Sequence, residues 1–244
     1  MLAEIDQRHV RTSEIQLASG ANAFLAKPDA PGGHPAVVLL HERYGLVQHT
    51  RDLAVRFAAD GHVALAPNVY WREPDQESLA RGEGRATTPD REICDDVAGA
   101  LDYLKTLPEV DSARLAVMGA CASGRHSILV AAERTDVAAC VVLYGAVGAS
   151  AWEPVDTLSE HIGRLKAPLF GVFGEKDHIF QVPGVRRLRT VLEAAGRSHY
   201  IRIFRDMPHG WLNDTIPPRY HRTEAEEVWR LLQAFLARVY AAGY

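Results

Sequence analysis

The residue whose surroundings most suggest chemistry is Cys121. It lies in the segment MGACASG, residues 118–124, which follows the apolar run LAVM and precedes a helical pattern. A nucleophile on a tight turn from strand to helix needs small neighbours, and alanine, glycine and serine flank this cysteine. A helix N-terminus also favours thiolate over thiol, whose unperturbed pKa is about 8.5. A small buried cysteine would show the same pattern, so the motif alone leaves both interpretations open.

Two further residues follow Cys121 in the order nucleophile, acid, histidine, which catalytic triads on open α/β sheets require. Asp177 comes just after the run LFGVF, and His209 comes just after the run YIRIF. In such a triad the imidazole holds the thiol proton and the carboxylate fixes its tautomer. Three such residues at predicted strand ends favour nucleophilic catalysis. Glu175 and His178 are lower-ranked candidates for the acid and the base.

Composition and charge limit the classes of protein to which the chain could belong. It has 244 residues, 47% of them apolar and 24% charged, and a formal net charge of −4. These values are typical of a globular protein and unfavourable for binding nucleic acid. The three cysteines, Cys94, Cys121 and Cys140, form no CxxC pair, so we expect neither a disulfide framework nor a zinc ribbon. Because no apolar leader or membrane-length run stands out, we expect a cytoplasmic protein that binds no membrane.

Short apolar runs alternate with segments of helical period along the chain. This alternation predicts an α/β fold with a mostly parallel, doubly wound sheet and helices on both faces. An N-terminal hairpin over residues 14–26 is expected at the sheet edge. We expect one domain over residues 1–244, with the irregular stretch 72–91 as a lid or pocket wall. The predicted strands cover residues 36–40, 63–66, 115–118, 139–143, 169–173 and 200–204, and the predicted helices cover residues 51–59, 92–104, 127–133, 184–195 and 223–240.

Three segments in the first third of the chain resemble one known family. They are HERYGL at residues 41–46, RDLA at residues 51–54 and PNVYWR at residues 67–72. Together with the cysteine segment, they make the chain similar over nearly its whole length to the dienelactone hydrolase (carboxymethylenebutenolidase) family. The resemblance implies an α/β-hydrolase fold and a catalytic triad of Cys121, Asp177 and His209.

The resemblance also implies roles for residues around the cysteine. Glu42 would contact the resting thiol and help to deprotonate it, which requires that burial raise the pKa of the carboxyl toward neutrality. A surface glutamate at a strand end is the ordinary alternative for this residue. The backbone N–H groups of Ala122 and Arg43 would form the oxyanion hole.

The resemblance further implies which residues contact substrate: Arg72, Tyr70, Tyr144, Asn213 and Trp211. Arg72 would bind a substrate carboxylate. Asn213 stands where the family has a second substrate-binding arginine, so the anion clamp loses one charge. Arg219 and Arg222 are candidates to replace that charge.

The residues favour a cysteine-dependent hydrolase that works through an acyl-thioester intermediate. The resemblance implies that its substrate is a small carboxylated lactone, of the kind met in the degradation of aromatic compounds. A broad carboxylesterase or thioesterase with the same triad is the alternative, followed by a non-catalytic binding protein of the same fold. The 11 histidines show no metal-ligand spacing, so we expect no metal and no other cofactor. We expect a small-molecule lactone or ester as the binding partner, and a monomer or small homo-oligomer.

Overall fold

A computed structural model of the chain describes residues 9–145 and 155–243. The chain divides between Met118 and Gly119 into two compact units. Within the two described ranges, no helix is long and apolar enough to cross a membrane. The expectation of a single domain over residues 1–244 stays a prediction.

The first unit holds the N-terminal hairpin and the first parallel strand pair. Its elements are β1 (Val10–Gln16), β2 (Asn22–Pro28), β3 (His34–Leu40), α1 (Gln48–Ala59), β4 (Val63–Pro67), α2 (Gln76–Ala80), α3 (Asp90–Thr106) and β5 (Val110–Ala120), whose last two residues lie beyond the division. β1 pairs antiparallel with β2, β2 pairs antiparallel with β4, and β3 pairs in parallel with β4. The hairpin that was predicted from residues 14–26 is confirmed.

Burial along β3 and β4 explains why their sequences are continuous apolar runs. All five residues of β4 are buried, and so are the last five of β3. Strands covered on both faces have no solvent-facing positions and therefore no alternation of polar and apolar residues. α1 and α3 each bury one stripe of residues at helical spacing, which includes Phe57 on α1 and Leu101 on α3.

The second unit begins with a tight turn and continues as alternating helices and parallel strands. Its elements are a 3-10 turn (Cys121–Ser123), α4 (Gly124–Glu133), β6 (Ala139–Leu143), α5 (Val155–Arg164), β7 (Leu169–Gly174), α6 (Val182–Ala194), β8 (His199–Phe204) and α7 (Arg222–Ala242). β6 pairs in parallel with β7, and β7 pairs in parallel with β8. The alternating α/β organisation that was predicted from the sequence is confirmed. The loops after β7 and β8 lie at the carboxyl ends of parallel strands, where open α/β sheets bind ligands.

Candidate active site

Cys121 stands at a strained turn between β5 and α4. Its φ angle is 55°, in the left-handed region that costs a non-glycine residue about 1–3 kcal/mol. The turn is so tight that a Cβ on Gly119 would lie 2.3 Å from the carbonyl oxygen of Ser123. A Cβ on Gly124 would lie 2.6 Å from the Cα of Gly145. Glycine is therefore needed at residues 119 and 124, and the strain is concentrated on the cysteine.

Three predicted residues are joined by two consecutive hydrogen bonds in the second unit, with His209 in the middle. The Sγ of Cys121 is 3.1 Å from Nε2 of His209, and Nδ1 of His209 donates to Oδ2 of Asp177 at 2.8 Å. All three side chains are buried, with exposed fractions of 7% for Cys121, 5% for His209 and 3% for Asp177. We call this group the Cys121 trio. Its geometry is the one that an activated cysteine nucleophile needs.

The carboxylate of Asp177 is held by its own loop. Its Oδ1 accepts hydrogen bonds from the backbone N–H groups of Ile179 at 2.8 Å and Phe180 at 2.9 Å. Because these donors occupy Oδ1, Oδ2 is the oxygen left to accept from His209. The bond at Nδ1 then fixes which nitrogen of the ring faces the sulfur.

The environment of His209 favours its protonated form. Burial lowers the pKa of the imidazole, but the hydrogen bonds with Asp177 and Cys121 outweigh burial and raise that pKa to about 9. When the ring is protonated, one N–H donates to the carboxylate and the other to the sulfur.

The alternative candidates for the acid, the base and the missing positive charge lie in other surroundings. Glu175 accepts a hydrogen bond from the backbone N–H of Asp206 at 3.1 Å, and His178 is exposed. Arg222 forms an ion pair with Glu226 on α7 at 2.8 Å. The carboxylate bonded to His209 is therefore the one that the order of residues favoured.

Two of the residues predicted to face substrate lie in the loop after β8 and are covered by protein atoms of the second unit. Trp211 has no exposed surface and packs against Phe204, with 4.9 Å between ring centroids. Asn213 is 1% exposed, and its Oδ1 accepts from the backbone N–H of Thr215 at 3.0 Å and from its hydroxyl at 2.6 Å. The loop after β8 uses these two side chains for its own packing and turn, and their contact with substrate stays a prediction.

Glu42 and Tyr70 lie near His41 in the first unit. Glu42 is 5% exposed, so the alternative of a surface glutamate is wrong. The Nδ1 of His41 donates to the carbonyl oxygen of Glu42 at 2.7 Å, and its Nε2 accepts from the backbone N–H of Val69 at 3.1 Å. The ring of Tyr70 packs against the same imidazole at 4.7 Å. His41 therefore fixes the backbone of Glu42, whose predicted catalytic role stays a prediction.

Arg72 belongs to a second polar group in the first unit, the Arg72 cluster (Arg72, Trp71, Glu92 and Asp96). Its Nη1 and Nη2 donate to Asp96 at 2.6 and 3.3 Å, and its Nε lies 3.0 Å from Oε2 of Glu92. The Trp71 indole N–H also donates to Asp96, at 3.1 Å, and the guanidinium carbon lies 4.3 Å from the Trp71 ring centroid. The guanidinium is thus shared by two carboxylates of α3.

The irregular stretch 72–91 is attached to the first unit by polar contacts. The guanidinium of Arg43 donates to the carbonyl oxygen of Gly82 at 2.8 Å. The carboxylate of Glu73 accepts from the backbone N–H and the hydroxyl of Thr88, each at 2.7 Å. α2 lies within this stretch, where no helix was predicted. The role of the stretch as a lid or pocket wall stays a prediction, as does the oxyanion role of the Arg43 and Ala122 N–H groups.

Sequence reasoning missed two residues that contact the predicted site residues. Asp96 lies on the buried stripe of α3 with Ile93 and Val97, and an acidic residue on such a stripe is a recognisable signal. Phe180 contacts both Asp177 and His209. Nothing in the sequence separates it from an ordinary apolar loop residue.

Comparison with known proteins gives a consistent result. The dienelactone hydrolase family model matches residues 21–240. A Methylorubrum extorquens protein named "Putative carboxymethylenebutenolidase" is 31% identical over 221 residues, which cover 86% of this chain and 74% of that protein. An Escherichia coli protein of the same name is 31% identical over 228 residues, covering 87% of this chain and 81% of that protein.

Solved structures are also similar to this chain. The crystal structure of a "Putative Dienelactone Hydrolase" from Klebsiella pneumoniae has a TM-score of 0.84 at 27% identity, covering 93% of this chain and 98% of that one. The structure of MGS-M1, described as an alpha/beta hydrolase enzyme from a Medee basin deep-sea metagenome, has a TM-score of 0.72 at 16% identity, covering 96% and 99%. The predicted α/β-hydrolase fold is thereby confirmed.

Proposed function

Because the chain belongs to the dienelactone hydrolase family and is an ester or lactone hydrolase, we propose that Cys121 is its covalent nucleophile. The proposal rests on the hydrogen bonds of the Cys121 trio, which run from the sulfur to the imidazole and from the imidazole to the carboxylate. The sulfur lies 3.1 Å from Nε2 of His209, and Nδ1 of the same ring lies 2.8 Å from Asp177. A thiolate beside an imidazolium is both nucleophile and proton source, which the first half of ester cleavage requires.

The first half-reaction forms an acyl thioester. The thiolate of Cys121 attacks the substrate carbonyl carbon, and the carbonyl electron pair moves onto oxygen. When the tetrahedral intermediate collapses, the bond to the ring or ester oxygen breaks. His209 donates its Nε2 proton to that leaving oxygen. Asp177 keeps its negative charge throughout and stabilises the imidazolium at the start of the step.

The second half-reaction releases the acid. Water attacks the thioester carbon while neutral His209 accepts a proton from it. Collapse of this second intermediate expels the thiolate of Cys121 and restores the thiolate–imidazolium pair. One water is consumed per bond cleaved. In both half-reactions the resemblance assigns oxyanion stabilisation to the backbone N–H groups of Ala122 and Arg43. It assigns to Glu42 a part in forming the thiolate before the first attack.

The charge of the substrate separates two candidate activities. The sequence favours a carboxylated lactone anchored by Arg72. A neutral small ester or lactone is the second candidate, and it is favoured by the Arg72 cluster. There one guanidinium faces two carboxylates, Asp96 and Glu92, so the cluster as a whole carries no spare positive charge. A substrate carboxylate would have to compete with Asp96, which is 1% exposed and already bonded.

Trapping the acyl enzyme tests the nucleophile. We expect acid-quenched enzyme, mixed briefly with p-nitrophenyl acetate, to carry an acetyl adduct on Cys121 that mass spectrometry locates. Cys121→Ala should lose the adduct and at least about a thousandfold in kcat. Cys140→Ala is the matched control, because burial raises the pKa of the Cys140 thiol to about 12 and leaves it unreactive. An adduct elsewhere, or turnover that survives in Cys121→Ala, would overturn the proposal.

A pair of substrates tests the charge preference. We would compare kcat/KM for a carboxylated enol lactone and for its methyl ester, in the wild type, Arg72→Ala and Arg81→Ala. If Arg72 anchors the carboxylate, Arg72→Ala should lower kcat/KM for the acid about 10- to 100-fold more than for the methyl ester. If its charge is already used by the Arg72 cluster, both substrates should be affected equally. Arg81, an exposed arginine paired with Glu83 in the same stretch, controls for the loss of one charge.

A further inference from the structure

The imidazole of His209 contacts two aromatic rings as well as its two hydrogen-bond partners. The ring centroids of Tyr144 and Phe180 each lie 5.4 Å from that of His209, with interplanar angles of 81° and 61°. Both are edge-to-face arrangements at the separation that aromatic pairs prefer. Tyr144 has no exposed surface and Phe180 is 7% exposed. The base is therefore packed on its ring faces or edges by residues that solvent barely reaches.

Phe180 contacts two members of the Cys121 trio. Its backbone N–H donates to Oδ1 of Asp177 at 2.9 Å, and its ring packs against His209. The loop after β7 thus holds the acid with the main chain and the base with the side chain of one residue. Any displacement of Phe180 would move Asp177 and His209 together.

The hydrogen bond to Asp177 does not by itself prevent rotation of the imidazole ring about that bond. It fixes the position of Nδ1, but the ring can still tilt about the line that joins Nδ1 to Oδ2. Such a tilt would move Nε2 away from the sulfur, with little effect on the bond to Asp177. An aromatic ring packed against the imidazole opposes this tilt. Catalysis is sensitive to such errors, since a displacement of about 1 Å can lower a rate about a hundredfold.

We propose that Phe180 is a positioning residue of the site, which aligns His209 with Cys121 through its ring and holds Asp177 through its N–H. This inference rests on the proposed function, in which His209 serves Cys121. Phe180 acts through the other two residues and does not itself contact the reacting atoms. Its predicted effect is therefore on kcat and on the reactivity of the thiol, with substrate binding little changed.

Four substitutions separate positioning from general stability. Phe180→Leu and Phe180→Met keep a buried apolar side chain but remove the ring, while Phe180→Tyr restores it. Phe235→Leu is the matched control, because Phe235 is a phenylalanine on α7 that is 5% exposed and packs on Phe170, outside the Cys121 trio. Phe180→Met provides a second ringless variant should Phe180→Leu not fold.

The readouts are hydrolysis of p-nitrophenyl acetate and alkylation of Cys121 by iodoacetamide between pH 5 and 10, with Cys121→Ala subtracting any labelling of the other cysteines. For the ringless variants we expect kcat to fall about tenfold, KM to stay within about twofold, and alkylation at pH 7 to slow about three- to tenfold. Phe180→Tyr should recover most of both rates, and Phe235→Leu should match the wild type.

Three outcomes would overturn the inference. They are an unchanged alkylation profile in the ringless variants, an equal loss in Phe235→Leu, and a rise in KM with kcat unchanged, which would identify a substrate-contacting residue. Alkylation needs no substrate, so it judges the positioning role even if no ester is hydrolysed. Absence of hydrolysis in the wild type would count against the proposed function alone.

Discussion

The Cys121 trio and the Arg72 cluster contain the same kinds of group, a carboxylate and a basic side chain. They differ in the second partner of the basic side chain. Each contains a buried carboxylate, Asp177 in one and Asp96 in the other, held by N–H donors and paired with a basic side chain. In the trio the basic group turns its second nitrogen toward a sulfur atom. In the cluster the guanidinium is shared between Asp96 and a second carboxylate, Glu92.

This difference teaches that burial and charge do not by themselves mark a reacting residue. An ion pair whose donors and acceptors are matched is a structural element, and removing its buried carboxylate leaves the remaining charge with fewer partners. In the trio the hydrogen bonds lead to a sulfur atom, which can exchange its bond with the imidazole for a bond to substrate. We therefore expect the trio to control turnover and the cluster to control stability.

The largest effect should come from breaking the trio at its acid. Asp177→Asn keeps the shape of the side chain but presents an amide to His209, which removes the charge that stabilises the imidazolium. We expect kcat for p-nitrophenyl acetate to fall about 1,000- to 10,000-fold, as in other triads that lose the acid. Urea unfolding, measured in parallel, corrects kcat for any loss of folded protein. A variant that keeps more than about a tenth of the wild-type kcat would place Asp177 outside the catalytic machinery.

The reverse pattern is expected from the Arg72 cluster. Asp96→Asn leaves Arg72 without its main partner but with Glu92, so the free energy of unfolding should fall by about 1.5–3 kcal/mol in urea titrations. The kcat for a neutral ester, per folded molecule, should stay within about threefold of the wild type.

Asp95→Asn is the matched control for that substitution. Asp95 is the neighbouring aspartate on α3, and its ion pair with Arg91 is exposed at both ends. Its loss should change stability by less than about 0.5 kcal/mol. If Asp96→Asn lowers kcat strongly while leaving stability intact, the contrast between the trio and the cluster fails.

The same contrast explains how much could be predicted from the sequence. Cys121, Asp177 and His209 could be chosen because each follows an apolar run, and carboxyl ends of parallel strands converge. The pairing of Arg72 with Asp96 could not be predicted. Sequence periodicity indicates the buried face of each helix or strand, but it does not indicate which side chains of different elements contact each other. α2 was missed because it has five residues and a single buried one, Leu79, so it shows no helical stripe. Its start depends on Asp75, whose side chain accepts from the Ser78 N–H.

Family resemblance assigned roles to residues of the chain, but the surroundings of those residues could not be predicted from it. Trp211 and Asn213 have residue types that suit a pocket, yet the loop after β8 covers both. Burial at these positions depends on Phe204 and Thr215, which no motif specifies. Motifs identify the type of chemistry, whereas the burial of each neighbouring side chain is decided by packing.

The smallest expected effect is the pH dependence of stability that His209 imposes. Its pKa is about 9 in the folded chain, against 6.5 for an ordinary histidine, because the bonds with Asp177 and Cys121 outweigh the opposing effect of burial. Between these values the folded chain binds the proton and the unfolded chain does not. The contribution is therefore complete below about pH 6.5 and lost as the pH rises through about 9. From pH 6 to pH 9.5, the difference in unfolding free energy between the wild type and His209→Gln should shrink by about 1–3 kcal/mol.

Repeating that comparison in the Cys121→Ala background separates the effect of Asp177 on the imidazole from the effect of the sulfur. Asp177 still bonds the ring there, so part of the decline should remain and shift to lower pH. If the decline disappears completely, the raised pKa depends on the sulfur alone, and Asp177 only orients the ring. If the decline is unchanged, the sulfur contributes nothing to the stability of the protonated imidazole. Asp177 alone would then stabilise the ring, as the carboxylates of the Arg72 cluster stabilise the guanidinium.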